Sequence, residues 1–165
     1  MTPDELLAKL ERVTAVVEQR AAVEATNVMG WVLKAHVKEI LGGGSPSAPG
    51  SPPGRMTGAL QASVAQVPAT GGGTVATTKI APHTIYDAVQ EYGRRIKAHP
   101  GPGRTGDPRY PHTMFFVTDK RHFPLVVKLP PRPYMHPSAE WARAGGIQPA
   151  GAAVVDAIIR QAWGG

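Results

Sequence analysis

Apolar residues recur at steps of three and four from the start of the chain: Leu6, Leu10, Val13, Val17, Val28, Trp31, Val32, Ala35 and Ile40. That spacing is the stripe of an amphipathic helix. Thr2 offers an N-cap hydroxyl, Pro3 a first-turn residue and Glu5 the returning half of a capping box, so the start is well defined. The stripe loses register between Ala21 and Thr26 and loosens at Gly30, yet continues to about Leu41. At the usual rise per residue such a helix is roughly 55 to 60 Å long, more than a compact domain of this size needs. One end is therefore expected to project or to pack on another subunit; a kink near Gly30 is the alternative.

Periodicity stops at Gly42 to Gly54, a run of five Gly, four Pro, three Ser and one Ala. With nothing to bury, it reads as a flexible tether, either without a role or ordered by a partner. A short helical turn follows at Arg55 to Ser63. Val64 to Val67 and Thr74 to Ile80 are β-rich runs flanking Ala69 to Gly73, which makes a hairpin. The glycines there invite comparison with phosphate-cradling loops, but no Lys-Ser/Thr follows and the next segment is a strand.

Ile85, Val89 and Tyr92 lie at i, i+4 and i+7, which predicts a short helix with a buried face, stopped by Gly93. Ala98 to His112 is irregular, basic and proline-rich. Met114 to Thr118 and Phe123 to Leu129 read as a second hairpin turning at Asp119 to His122, ended by Pro130, Pro131 and Pro133. Two helices close the chain, Pro137 to Ala144 before Gly145-Gly146, and Pro149 to Trp163. The last carries an apolar stripe of Gly151, Val154, Val155, Ile158, Ile159 and Ala162 opposite Asp156 and Arg160. Leu60, Val89, Val126, Val155 and Ile158 are the expected core. The order predicts an α+β fold with a long N-terminal helix, a small antiparallel sheet of two hairpins, a short central helix and two C-terminal helices. It forms a single domain over residues 1–165: a long helix at 1–41, a tether at 42–54 and an α+β core at 55–165.

Charge changes this picture at one point. Between Arg94 and Arg132 stand nine Lys or Arg against Asp107 and Asp119, a net +7, whereas the whole chain carries +6. The excess begins where the short helix stops, and such segregation points to a surface made for a partner. The residues that would form it are Arg94, Arg95, Lys97, Arg104, Arg109, Lys120, Arg121 and Lys128. A sequence pI near 9.9 admits nucleic acid, an anionic membrane or an acidic protein as partner. These residues fall on loops and a hairpin tip and not on a helix face suited to the major groove, which favours a protein-facing role.

The absence of Cys rules out disulfides, thiolate metal sites and a Cys nucleophile. No apolar run approaches the ~20 residues needed to span a bilayer, and Met1 to Glu5 lacks the regions of a signal peptide, so a soluble protein made in a cytoplasm, with no membrane partner, is expected. His136 and Glu140 share a helical face but have no third metal ligand at useful spacing. The six His show no paired spacing, and Ser63 and Ser138 lack an elbow sequence, so neither enzyme activity nor a cofactor is expected. Tyr86, Tyr92, Tyr110, Phe115, Phe116 and Tyr134 have faces for base stacking, but their spacing suits core positions.

Three segments, taken in order, resemble a known family: Thr57-Gly-Ala-Leu-Gln-Ala-Ser63, Ile85-Tyr-Asp-Ala-Val-Gln-Glu-Tyr-Gly93 and Pro131-Arg-Pro-Tyr-Met-His-Pro-Ser-Ala139. They are similar to the tail-completion, or head-tail connector, proteins of long-tailed bacteriophages, the group that includes minor tail protein Z. The likeness covers roughly residues 55 to 165; the Gly42 to Gly54 insert and the basic Ala98 to His112 loop depart from it. The resemblance implies a non-enzymatic virion protein of the neck, made in the host cytoplasm and assembled as a homo-oligomeric, hexameric ring. Its implied partners are its own copies, the head-completion proteins and the tail-terminator or tail-tube proteins, with genomic DNA in passing contact. The alternative from charge alone is a small basic nucleic-acid-binding protein, with the +7 window as its footprint.

Overall fold

The computed structural model describes residues 2–44, 47–55, 57–84, 86–97 and 126–164. The N-terminal rod comprises α1 (Pro3–Val16), a π-helical turn at Val17–Ala21 and α2 (Ala22–Ile40). Its capping box is formed as the sequence implies: the Thr2 hydroxyl accepts from the Glu5 N–H at 3.3 Å, and Glu5 Oε2 accepts from the Thr2 N–H at 2.6 Å. The break in the apolar stripe has a local cause. The wide turn at Val17–Ala21 inserts extra rotation between two stripes that do not share one register, while φ and ψ stay helical on both sides.

α2 is the central element. The hairpin β1 (Ala65–Gly72) and β2 (Val75–Ala81) packs on it, and so does α6 (Gln148–Gly164). The two strands pair antiparallel from Ala65 opposite Ala81 to Gly72 opposite Val75, with an irregularity between Val67 and Thr70. Pro68 sits there, where it has no N–H to give the ladder. The glycine-rich stretch is thus mostly strand, and the turn itself is Gly73–Thr74. Along β2, half-buried Ala76, Thr78 and Ile80 alternate with exposed Val75, Thr77 and Lys79, the period of a sheet covered on one face.

Gly30 does not kink the rod. It is buried within α2 where the hairpin approaches, and a β-carbon there would press on the end of the Gln66 side chain. Gln66 Nε2 donates to the Asn27 carbonyl at 3.0 Å, and the Ala69 N–H donates to Asn27 Oδ1 at 2.7 Å. A second close approach lies at Gly151 of α6, where a β-carbon would stand 2.7 Å from Met29 Sδ.

The core gathers at the C-terminal end of the rod: Val37, Leu41, Val64 and Tyr134 are buried together, with Leu33, Ile40, Leu60, Ile80 and Met135 packed around them. The α1 end is different. None of its residues is buried, and Leu7 is 58% exposed. In α6, Gly151 and Ile158 are buried and Val154, Val155 and Ala162 half-buried, whereas Ile159 lies at the edge of the stripe and is exposed.

Several expectations change. Residues 47–54 fold back on the core instead of hanging free: the Gly50 N–H donates to the Pro131 carbonyl at 3.1 Å, Arg132 Nη1 donates to Ser47 Oγ at 3.2 Å, and Pro53 is buried. The backbone groups of a Gly/Pro run still need partners, and here the other irregular segment supplies them. The short helical turn is α3 (Ala59–Ser63), and the central helix is α4 (Asp87–Tyr92). Past Gly93 the chain enters strand β3 (Arg94–Lys97), which pairs antiparallel with β4 (Val126–Leu129) as a second two-stranded sheet. The strand expected at Met114 to Thr118, with its turn, lies outside the described residues. The penultimate helix, α5 (Met135–Trp141), starts before Pro137 and runs into a π-helical turn at Ala142–Gly146, where Gly145 takes φ 103°.

Ile158→Ala should lower stability by about 2 to 5 kcal/mol in chemical denaturation, the range for truncating a buried aliphatic side chain. Trp31→Ala, at a residue 71% exposed, should stay within about 0.5 kcal/mol.

Candidate partner-binding surface

The surface is built on a buried carboxylate. Glu91, on the last turn of α4, is 9% exposed, and it accepts three backbone N–H groups at the start of α5. Oε2 takes those of Tyr134 at 2.9 Å and Met135 at 3.0 Å, and Oε1 takes that of His136 at 2.8 Å. These amides begin a helix and have no partner within it, so a carboxylate from elsewhere in the chain does what a local N-cap would. This is why α5 begins ahead of Pro137.

The same contact corrects the reading of α4. The helix buries its glutamate, not an apolar face: Tyr92 is 80% exposed, Tyr86 63% exposed and Val89 half-buried. Nothing in the spacing of Ile85, Val89 and Tyr92 signals this, because the reward comes from amides far along the chain. The coupling runs between the Glu91-Tyr92-Gly93 end of α4 and the Tyr134-to-His136 start of α5.

Around Glu91 the two segments are locked. The Arg132 N–H donates to the Gln90 carbonyl at 2.6 Å, and Ser138 Oγ donates to the Tyr134 carbonyl at 2.7 Å. Gly93 takes φ 70°, and a β-carbon there would lie 2.6 Å from the Leu129 carbonyl oxygen and 2.9 Å from the Pro131 nitrogen, so glycine is required on both counts. Tyr134 is fully buried, and its hydroxyl has no hydrogen-bond partner among the described residues. Burial, and then the negative charges of Asp87 and Glu91, push its phenol well above the usual tyrosine range, so it stays neutral. The stretch from Thr57 to Ser63 reaches the same core. Gln61 Nε2 donates to the Lys38 carbonyl at the end of α2 at 2.6 Å, and Leu60 packs against the buried cluster.

The β3–β4 ribbon starts at this clamp. Its register sets Arg94 opposite Leu129, Arg95 opposite Lys128, Ile96 opposite Val127 and Lys97 opposite Val126. Directly opposed residues share a face, so Arg95 and Lys128 stand side by side with like charge, an arrangement that disfavours the ribbon on its own. Both are exposed, and neither has an ion-pair partner among the described residues. Tyr92, Gly93, Arg94, Arg95, Lys128, Leu129, Pro130 and Pro131 line an open groove of about 520 Å³. Three residues of the predicted basic surface are thus brought together; for Lys97 only the backbone pairing is described. Arg104, Arg109, Lys120 and Arg121 lie outside the described residues.

Other chemistry is sparse. Among the described residues no group of three or more His, Asp or Glu is placed to hold a metal ion, and His136 Nε2 lies 3.2 Å from Glu140 Oε1 as an exposed pair. No described helix is long and apolar enough to cross a membrane. The sequence matches no family model, and neither curated proteins nor solved structures show a significant likeness to it.

Glu91→Ala should cost about 2 to 4 kcal/mol, because three amide donors lose a charged acceptor, and the amides of Tyr134, Met135 and His136 should exchange faster with solvent. Tyr134→Phe removes a hydroxyl without a partner, so it should change stability by less than about 1 kcal/mol.

Proposed function

We propose that this chain is a tail-completion component of the neck of a long-tailed bacteriophage, a non-enzymatic subunit of a ring that joins the head-completion proteins to the tail. The observation that carries the reading is the convergence of the three family-like segments. Thr57 to Ser63 bonds to the end of α2, Tyr86 to Gly93 supplies the carboxylate and the glycine turn, and Pro131 to Ala139 supplies the amides and the buried tyrosine. The reading is supported by all three segments bearing on one core. An overlong helix whose first stretch, α1, has no buried residue and a basic ribbon with exposed cations suit a subunit whose ligands are protein surfaces.

A second reading, binding to nucleic acid, is favoured by the opposed Arg95–Lys128 pair, which a phosphate would relieve. The two readings separate experimentally. Phage lacking this protein should accumulate filled heads and finished tails that do not join, and the purified protein should restore joining. Mass measurement of the neck should find several copies related by rotation; a single copy per particle refutes the ring. Free protein should bind duplex DNA only weakly. Tight binding whose logarithm falls with log salt by about 0.9 per phosphate neutralised, together with normal joining by an Arg95→Glu/Lys128→Glu variant, would transfer the function to nucleic acid.

A further inference from the structure

Two surfaces left unsatisfied within one copy complement each other. The first is the outward side of α1. Leu7 is 58% and Leu10 45% exposed, while the opposite side of the helix leans on α6, with Lys9 Nζ 5.8 Å from the centre of the Trp163 ring. Exposed Asp4, Glu11 and Glu18 recur every seven residues, and Asp4 and Glu11 flank Leu7 at i−3 and i+4 on the same side of the helix. None of these three carboxylates has an ion-pair partner among the described residues. The second surface is the ribbon groove, with exposed Tyr92 as an apolar anchor and Arg94, Arg95 and Lys128 around it. A leucine among carboxylates matches a tyrosine among cations.

The two patches cannot meet within one copy. Pro3 to Ile40 spans roughly 55 Å of helix, and the ribbon is held by Gly93 and Pro131 beside the core at the far end of that rod. Nor does either patch suit its own duplicate. α1 against α1 opposes carboxylates, and ribbon against ribbon opposes cations. Different patches at opposite ends make a heterologous contact, the kind that closes into a ring when the rotation allows it.

We propose that α1 of one copy docks, through Leu7 and the Asp4–Glu11–Glu18 line, on the Tyr92–Arg95–Lys128 groove of the next copy. The contact deepens the ring reading above and names its interface. It also gives the Arg95–Lys128 pair the anions that its register demands.

The chain has no Cys, so engineered thiols are the only ones present. Thr14→Cys and Pro130→Cys lie at the exposed margins of the two patches. Purified full-length proteins carrying one or the other are mixed at low salt and high concentration and treated with a short bis-maleimide. The mixture should cross-link, each protein alone should not, and a chain carrying both should give a ladder of multimers. Asp4→Lys/Glu11→Lys/Glu18→Lys and Arg94→Glu/Arg95→Glu/Lys128→Glu should each reduce the yield at least about tenfold, the scale of three exposed ion pairs, and a mixture of the two reversed proteins should recover it. Cross-linking of Thr14→Cys with itself, no excess in the mixture, or no recovery by the double reversal overturns the contact. Duplex DNA binding lost in the ribbon reversal, with no cross-link, gives the groove to nucleic acid instead. A ladder from a protein that head-tail joining does not need keeps the contact and removes the neck function. Joining that needs the protein, without the cross-link, does the opposite.

Discussion

One carboxylate ties the end of α4 to the start of α5. Glu91 accepts three N–H groups 43 to 45 residues further along the chain, and a buried acceptor with three donors is hard to replace by packing, because each amide left alone carries its full desolvation penalty. Its effect is geometric as much as energetic. By fixing where α5 starts it seats Tyr134 in the cluster with Val37, Leu41 and Val64, and by pulling Pro131 to Tyr134 against α4 it closes the base of the β3–β4 ribbon. The length of chain between those strands enters the cost of closure only logarithmically.

The rod and the clamp divide the work. α2 is covered by the hairpin and by α6, which approach it beside Gly30 and at Gly151. α1 continues the same helix with α6 against one side only, and none of its residues is buried. A helix of that length with no buried residue gains little within its own subunit, since most helical stability in proteins comes from packing an apolar face. Two-stranded ribbons are likewise marginal alone. α1 and the β3–β4 ribbon thus each gain little from their own packing, and one carries exposed carboxylates where the other carries exposed cations.

The Gly/Pro segment after the rod follows the same logic on a smaller scale. Composition removes its capacity to form a helix or strand but not its need for hydrogen bonds. Gly50, Ser47 and Gly54 meet that need against Pro131, Arg132 and each other, so a stretch that looks like a linker becomes a strap across the clamp.

What the sequence determined by itself was everything whose cause is local. Thr2, Pro3 and Glu5 start the rod because all three act within one turn; alternation and a glycine turn make the first hairpin; a stripe at helical spacing makes α6; charge segregation marks the stretch from Arg94 onward. Tertiary structure decided what each face meets. Periodicity placed Ile85, Val89 and Tyr92 on one side of α4 but could not say that the other side, with Glu91, would be the one buried. The deciding amides belong to residues 134 to 136. Likewise Arg95 and Lys128 become neighbours only through strand pairing, and Gly30 was legible as a weak helix former but not as the point where Gln66 approaches. Spacing along a chain tells which residues share a face; only the partner across the gap fixes whether that face is core, clamp or open surface.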